Sequence, residues 1–168
     1  MSGRASRVVV DLSAIRHNVR QLVALAEPAR TMVVVKANGY GHGATRVAEV
    51  ALDAGAHGLC VALVQEGVEL RRAGIEAPIL VLSEQPREQL GELVAHGLIA
   101  TVYSVSSIDA IADEARRRDV VGQEVHLKVD TGMNRVGARP DAAVELGGRV
   151  LARSPQLSLG GVFTHLAC

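Results

Sequence analysis

Short apolar runs alternate with amphipathic stretches along nearly the whole chain, and this alternation limits the folds open to it more than any other feature. The runs are MVVV (32–35), GLCVAL (58–63), PILVL (78–82), LIATVY (98–103) and VHLKV (125–129). A sixth, LSLGGVF (157–163), is interrupted by two glycines. Runs this short, apolar on both faces, are expected of buried parallel strands. Between them, Val47, Val50, Ala51 and Ala54 fall at the i, i+3, i+4, i+7 spacing of one helix face, as do Ile108, Ile111, Ala112 and Ala115. Leu90, Leu93 and Val94 repeat it in shorter form. Leu12, Ile15, Val19, Leu22, Val23 and Ala26 make the longest stripe, with Asp11 or Ser13 as its N-cap. Gly55, Gly74 and Gly97 each close a helical pattern shortly before a strand, where a left-handed C-cap is expected. Such alternation implies right-handed crossovers and an α/β fold. It leaves an open doubly wound sheet and a closed (β/α)8 barrel both standing.

Charge and composition narrow the partners. Eighteen basic residues balance eighteen acidic ones, so no net field draws the chain to nucleic acid or an anionic membrane. Tyr40, Tyr103 and Phe163 are its only aromatic residues, too few for a base-stacking platform. No run approaches the roughly 20 apolar residues of a membrane span. The opening MSGRASRVVVDL lacks the long apolar stretch of a secretory signal. Cys60 and Cys168 make no disulfide framework, and Cys60, inside an apolar run, is expected in the core. The expected compartment is the cytoplasm. His17, His57, His96 and His126 share no metal-ligand spacing, so no metal site is expected.

One run ends on a residue that does not belong in a core. In TMVVVKANGYGHG (31–43), Lys36 closes an apolar strand and glycine-rich chain follows at once. In either architecture the C-terminal ends of parallel strands form the functional rim. Lys36 can be a snorkelling or ion-paired lysine there. Alternatively, partial burial favours its neutral amine, which can attack a carbonyl and hold a Schiff base. Gly39, Gly41 and Gly43 let the backbone approach a ligand closely. Tyr40 offers a hydroxyl, and the amides at Gly43 or Ala44, opening a helix, are placed to receive an anion such as phosphate. Amine, hydroxyl and anion site together suit pyridoxal 5'-phosphate. The segment matches neither GxGxxG nor a P-loop.

VVVKANGYGHG resembles the cofactor-lysine signature of the alanine racemases, barrel enzymes that interconvert L- and D-alanine with pyridoxal phosphate. VVVDLSAIRHNVRQL, HLKVDTGMNRVG (126–137) and GVFTHLA (161–167) resemble racemase segments too, in the expected order. KANGYGHG followed by KVDTGMNR is more specific than the KAN triplet, which related decarboxylases share. The resemblance implies that Lys36 holds the cofactor and acts as one of two catalytic bases. It implies that Tyr40 bonds the cofactor phosphate, and that His165 lies beside the pyridine ring. Arg135 matches an arginine near the cofactor's phenolic oxygen and the substrate carboxylate. Lys128 matches a lysine that is carbamylated in several members and orients that arginine. Taken alone, Arg135 reads as a surface arginine and Lys128 as a solvated strand lysine. Asp130 and Thr131 read as turn formers supporting Arg135, and His42 as a loop-packing group.

The resemblance implies an incomplete (β/α)8 TIM-type barrel of about six β/α units with parallel strands, since a full barrel typically takes about 250 residues. Residues 11–168 would hold the first six barrel strands. Residues 1–10 would hold a strand belonging to a β-rich C-terminal domain outside the chain. The expected function is pyridoxal-phosphate-dependent alanine racemisation, supplying D-alanine for peptidoglycan, by a homodimer when complete. The 168-residue chain alone is expected to be inactive. The alternative is a non-catalytic pyridoxal-phosphate carrier of similar barrel fold.

Overall fold

A computed structural model describes residues 7–167. Strands and helices alternate as expected: α1 (Leu12–Ala26), β1 (Met32–Val34), the single turn α2 (Lys36–Tyr40), α3 (Ala44–Asp53), β2 (Gly58–Val61), α4 (Val64–Arg72) and β3 (Ile79–Val81). There follow α5 (Leu90–Ala95), β4 (Ile99–Val102), α6 (Val105–Arg117), β5 (Gln123–Val129), α7 (Ala143–Leu151) and β6 (Leu157–Thr164). Asp11 caps α1, its Oδ1 accepting from the amides of Ser13 at 2.8 Å and Ala14 at 3.1 Å. Gly55, Gly74 and Gly97 all have positive φ, at 104°, 88° and 57°. Each lets a helix end and the chain turn into the next strand without a Cβ clash.

The six strands form one sheet in the order β1-β2-β3-β4-β5-β6, every pair parallel. A doubly wound sheet reverses strand order at a switch point, and this one does not. Leu59, Val61, Ile79, Val81, Ala100, Val102, Val125 and Leu127 share one core with helix residues such as Ala48, Val68, Leu93, Ile108, Ile111 and Val150. On the opposite face, Cys60, Leu80 and Ile99 pack only with Met32, Leu82 and Phe163, all from strands or their ends. The covering helices therefore lie on one side of an in-order parallel sheet. That is an unclosed portion of a TIM-type barrel, with β1 and β6 at its edges. Its core is apolar: Leu59, Ile79, Leu93, Ile108 and Leu127 are among the fully buried side chains, each contributing about 1.5–3 kcal/mol on burial.

Three details depart from the sequence pattern. Strand β5 begins two residues early, at Gln123, because its pairing with β6 starts there, opposite Leu157, and the buried Gln123 side chain donates through Nε2 to the Leu98 carbonyl at 2.9 Å. Strand β6, weakened by its glycines in the sequence, is the longest at 8 residues. Val125 faces Leu159 but His126 faces Gly161, so Gly160 is the extra residue of a β-bulge. In α1 only the Ile15–Val19–Val23 line packs, against Ala51, Ala54 and Ala56, and Leu22 stays 56% exposed. Cys60 is a core residue, and burial pushes its thiol up to about 11. Arg7 to Val10 lie in no strand. The rest of the expected N-terminal strand, residues 1–6, and Cys168 lie outside the described residues.

Candidate active site

Lys36 stands at the rim, where β1 ends. The ladder continues one step past the strand, Val35 donating to the Cys60 carbonyl at 2.9 Å. The chain then turns left-handed: Ala37, Asn38, Gly39 and Tyr40 have φ of 51°, 54°, 63° and 54°. L-residues rarely do this in succession, since each pays roughly 1–2 kcal/mol. Gly39 is buried, and a Cβ there would meet the Ala44 backbone at 3.3 Å, so glycine lets the turn seat closely on α3. His42 Nδ1 lies 2.9 Å from the Gly39 carbonyl, the loop-packing place expected of it. The turn sets the Tyr40 ring centroid 5.9 Å from Lys36 Nζ.

The same turn corrects one expectation. Gly43 donates to the Asn38 carbonyl and Ala44 to Asn38 Oδ1, both at 2.9 Å. These two amides are spent on Asn38, so they are not the anion site that their place at the start of a helix suggested.

Lys128 lies on the concave face of β5 and is 5% exposed. Its Nζ sits 4.8 Å from the ring centroid of Phe163, its register partner on β6, a cation–π distance. Burial pulls its pKa down, the nearby Arg135 charge adds to this, and Asp130 opposes both. Beyond Lys128 the chain folds back on itself: Ala138 donates to the Lys128 carbonyl and Asp130 to that of Ala138, both at 2.8 Å. Asp130 Oδ1 accepts from Gly132 and Asn134 at 3.0 Å. Those amides, Gly132 first, hold its carboxyl below the usual range. Gly137 has φ of 137°, and a Cβ on it would meet the Asp130 nitrogen at 2.7 Å. Arg135 rides on this braced loop. Thr131 Oγ1 is 2.7 Å from Thr164 Oγ1, joining the loop to the end of β6, just before His165.

Lys36, Tyr40, Lys128, Arg135 and His165 thus line one cavity of about 350 Å³, together with Val34, Ala62, Leu82 and Phe163. A larger open cleft, about 610 Å³, lies between α5 and α6 on the convex side. It is walled by surface charges such as Arg116, paired with Asp113 at 2.8 Å, and no strand end reaches it. Along the rim from β1 to β4, side chains tie each loop to the next. Glu66 accepts from Ala37 at 2.6 Å, Gln85 donates to the Ala62 carbonyl at 3.2 Å, and Glu84 accepts from Tyr103 at 2.7 Å. Sequence spacing gave no signal for these ties or for Phe163. Among the described residues no group of three or more His, Cys, Asp or Glu could hold a metal ion. No helix there is long and apolar enough to cross a membrane.

Residues 10–168 match the family described as alanine racemase, N-terminal domain. The chain belongs to this family. It is 49% identical over 160 residues to an alanine racemase of Symbiobacterium thermophilum, covering 94% of this chain and 41% of that protein. Alanine racemase 1 of Bacillus subtilis is 42% identical over 159 residues, with 94% and 40% coverage. The solved structure of alanine racemase from Streptomyces coelicolor A3(2) superposes with a TM-score of 0.89 at 36% identity, covering 95% of this chain and 43% of that one. The chain spans about two-fifths of the length of these alanine racemases.

Proposed function

We propose that this chain contributes the cofactor-lysine half of a pyridoxal-phosphate-dependent racemase that interconverts L- and D-alanine and supplies D-alanine for peptidoglycan. One observation carries the reading: five side chains from three separate stretches of sequence, Lys36 with Tyr40, Lys128 with Arg135, and His165, meet in one cavity at the strand ends. Their chemistry suits pyridoxal phosphate. Lys36 would hold its aldehyde carbon, Tyr40 would bond its phosphate, and His165 would lie beside its ring. Arg135, a fixed fork of donors, would face the phenolic oxygen and the substrate carboxylate. Bound there, the cofactor draws electrons from the substrate α-carbon and makes its proton easier to remove.

This chain's residues then divide the work. The Lys36 amine takes or returns the α-proton on its own face of the substrate. Arg135 orients the carboxylate, with Lys128 behind it as a carbamate. Leu82 and Phe163 give the cavity an apolar wall. The complete protein would work in the cytoplasm as a homodimer, with no nucleic-acid or membrane partner. The names of the relatives and the cavity's lining support this reading.

The test is covalent capture. Incubation with pyridoxal phosphate, borohydride reduction and peptide mapping should place the label on Lys36, and Lys36→Ala should abolish it. Label on Lys128 instead, or none on a folded sample, would refute the assignment.

A further inference from the structure

Glu66 sits outside the cavity lining, in the first turn of α4. Its Oε2 accepts from the amides of Ala62 at 2.8 Å and Leu63 at 3.0 Å. Those bonds are local: a glutamate at the third helical position reaching back to cap its own helix. The third bond is different. Oε1 accepts from the Ala37 amide at 2.6 Å, across 29 positions of sequence, in another loop, beside the cofactor lysine.

Ala37 opens the left-handed turn, and a strained backbone persists only where its surroundings over-determine it. Inside the turn, Gly39 donates to Val35, and Gly41 and Gly43 donate back to Ala37 and Asn38. The Ala37 amide points out of the turn, and the Glu66 carboxylate is its acceptor. Hydrogen bonds to an ionised acceptor are roughly twice as strong as neutral ones. The Ala37 nitrogen also belongs to the rigid peptide plane that starts at the Lys36 Cα. Holding that N–H therefore fixes the ψ of Lys36, and with it the direction in which the strand end presents its side chain.

We propose that Glu66 is a positioning residue for Lys36: it pins the peptide that follows the lysine and so aims the amine across the cavity. The proposal rests on the reading of Lys36 as the cofactor lysine.

Two measurements on the full chain test it. The first needs no cofactor: hydrogen exchange at the Ala37 amide, for wild type, Glu66→Ala, Glu66→Gln and the exposed control Glu69→Ala. The second is pyridoxal phosphate affinity, read from the visible band of the lysine-bound cofactor well below each variant's melting midpoint. That band reports the lysine's environment and does not follow global stability. Losing a charge-assisted bond should speed Ala37 exchange and weaken affinity by roughly tenfold or more in Glu66→Ala. Glu66→Gln keeps the volume and one acceptor oxygen, so its effect should be smaller and it serves if the alanine variant does not fold. Glu69→Ala should match wild type. If wild-type Lys36 takes no cofactor, the reading of the site fails and the proposal with it. If Lys36 binds cofactor equally well in wild type and both Glu66 variants, or Ala37 exchange is unchanged, the proposal alone is overturned.

Discussion

Lys128 shows how one residue's surroundings select its chemistry. A buried ammonium beside the Arg135 charge is disfavoured twice, by lost solvation and by like-charge repulsion, and both lower its pKa. A lowered pKa enlarges the share of neutral amine, the form that can attack carbon dioxide, forming an N–C bond and releasing a proton. The product is a carbamate, which gives Arg135 an anionic partner. We expect high-resolution density for the intact protein to show the added atoms on Lys128. An unmodified amine with another anion facing Arg135 would refute this. Lys36, Tyr40 and His165 were legible because short motifs carry them. Phe163 and Glu66 were not. Each acts through a neighbour that folding supplies, Lys128 across a strand pair and Ala37 across 29 positions, and no local spacing encodes such contacts.

Helices and strands were easier to read where an element follows its own periodicity. The α6 stripe of Ile108, Ile111, Ala112 and Ala115 is wholly buried, as its spacing required. Periodicity failed where a polar residue joined the core, as Gln123 does, and where a bulge at Gly160 shifted the register. It also missed the charged clasp between α6 and α7. Asp109 on α6 accepts from Arg149 of α7 at 2.5 and 3.1 Å and from Arg153, just beyond α7, at 2.5 Å. The Arg149 hydrogen bond, first, and then Arg153 hold its carboxyl below the usual carboxylate range. A folded pKa below the unfolded one means the clasp stabilises above the unfolded value and fades as pH falls through the folded one. Asp109→Asn should therefore cost about 1 kcal/mol near neutrality, with the difference from wild type vanishing in acid. Urea melts at a series of pH values check this; a constant gap down to strong acid would refute the clasp.

For the molecule as a whole, alternation of elements left two α/β architectures open, and the unreversed strand order with helices on one face decided for the barrel type. The same whole-molecule view bears on stereochemistry. Inverting an α-carbon requires a proton donor or acceptor on each face, and Lys36 serves one. Tyr40 is assigned to the phosphate, and Tyr103 is not among the cavity's lining residues. General acid–base groups each contribute roughly 100- to 10,000-fold, so these 168 residues alone should be inactive as a racemase, at most exchanging the α-hydrogen of one alanine enantiomer with retained configuration. Incubation with each enantiomer in deuterated water, followed by chiral chromatography, reads this directly. Inversion at the rate of a complete racemase would place a second base within these residues.

The rim ties described above also bear on redesign. They run through Glu66, Gln85 and Glu84, from the turn behind Lys36 to the start of α6, and there they stop. The segment from Asp130 to Ala138 is braced by its own aspartate and by Thr164 instead. Among the described residues no side-chain hydrogen bond joins that segment to the loop after β4. The wall of the cavity is thus two modules with separate fastenings. A graft exchanging residues 130–138 for another sequence, with Gly137 kept, would change what greets a substrate's carboxylate while the lysine keeps its aim.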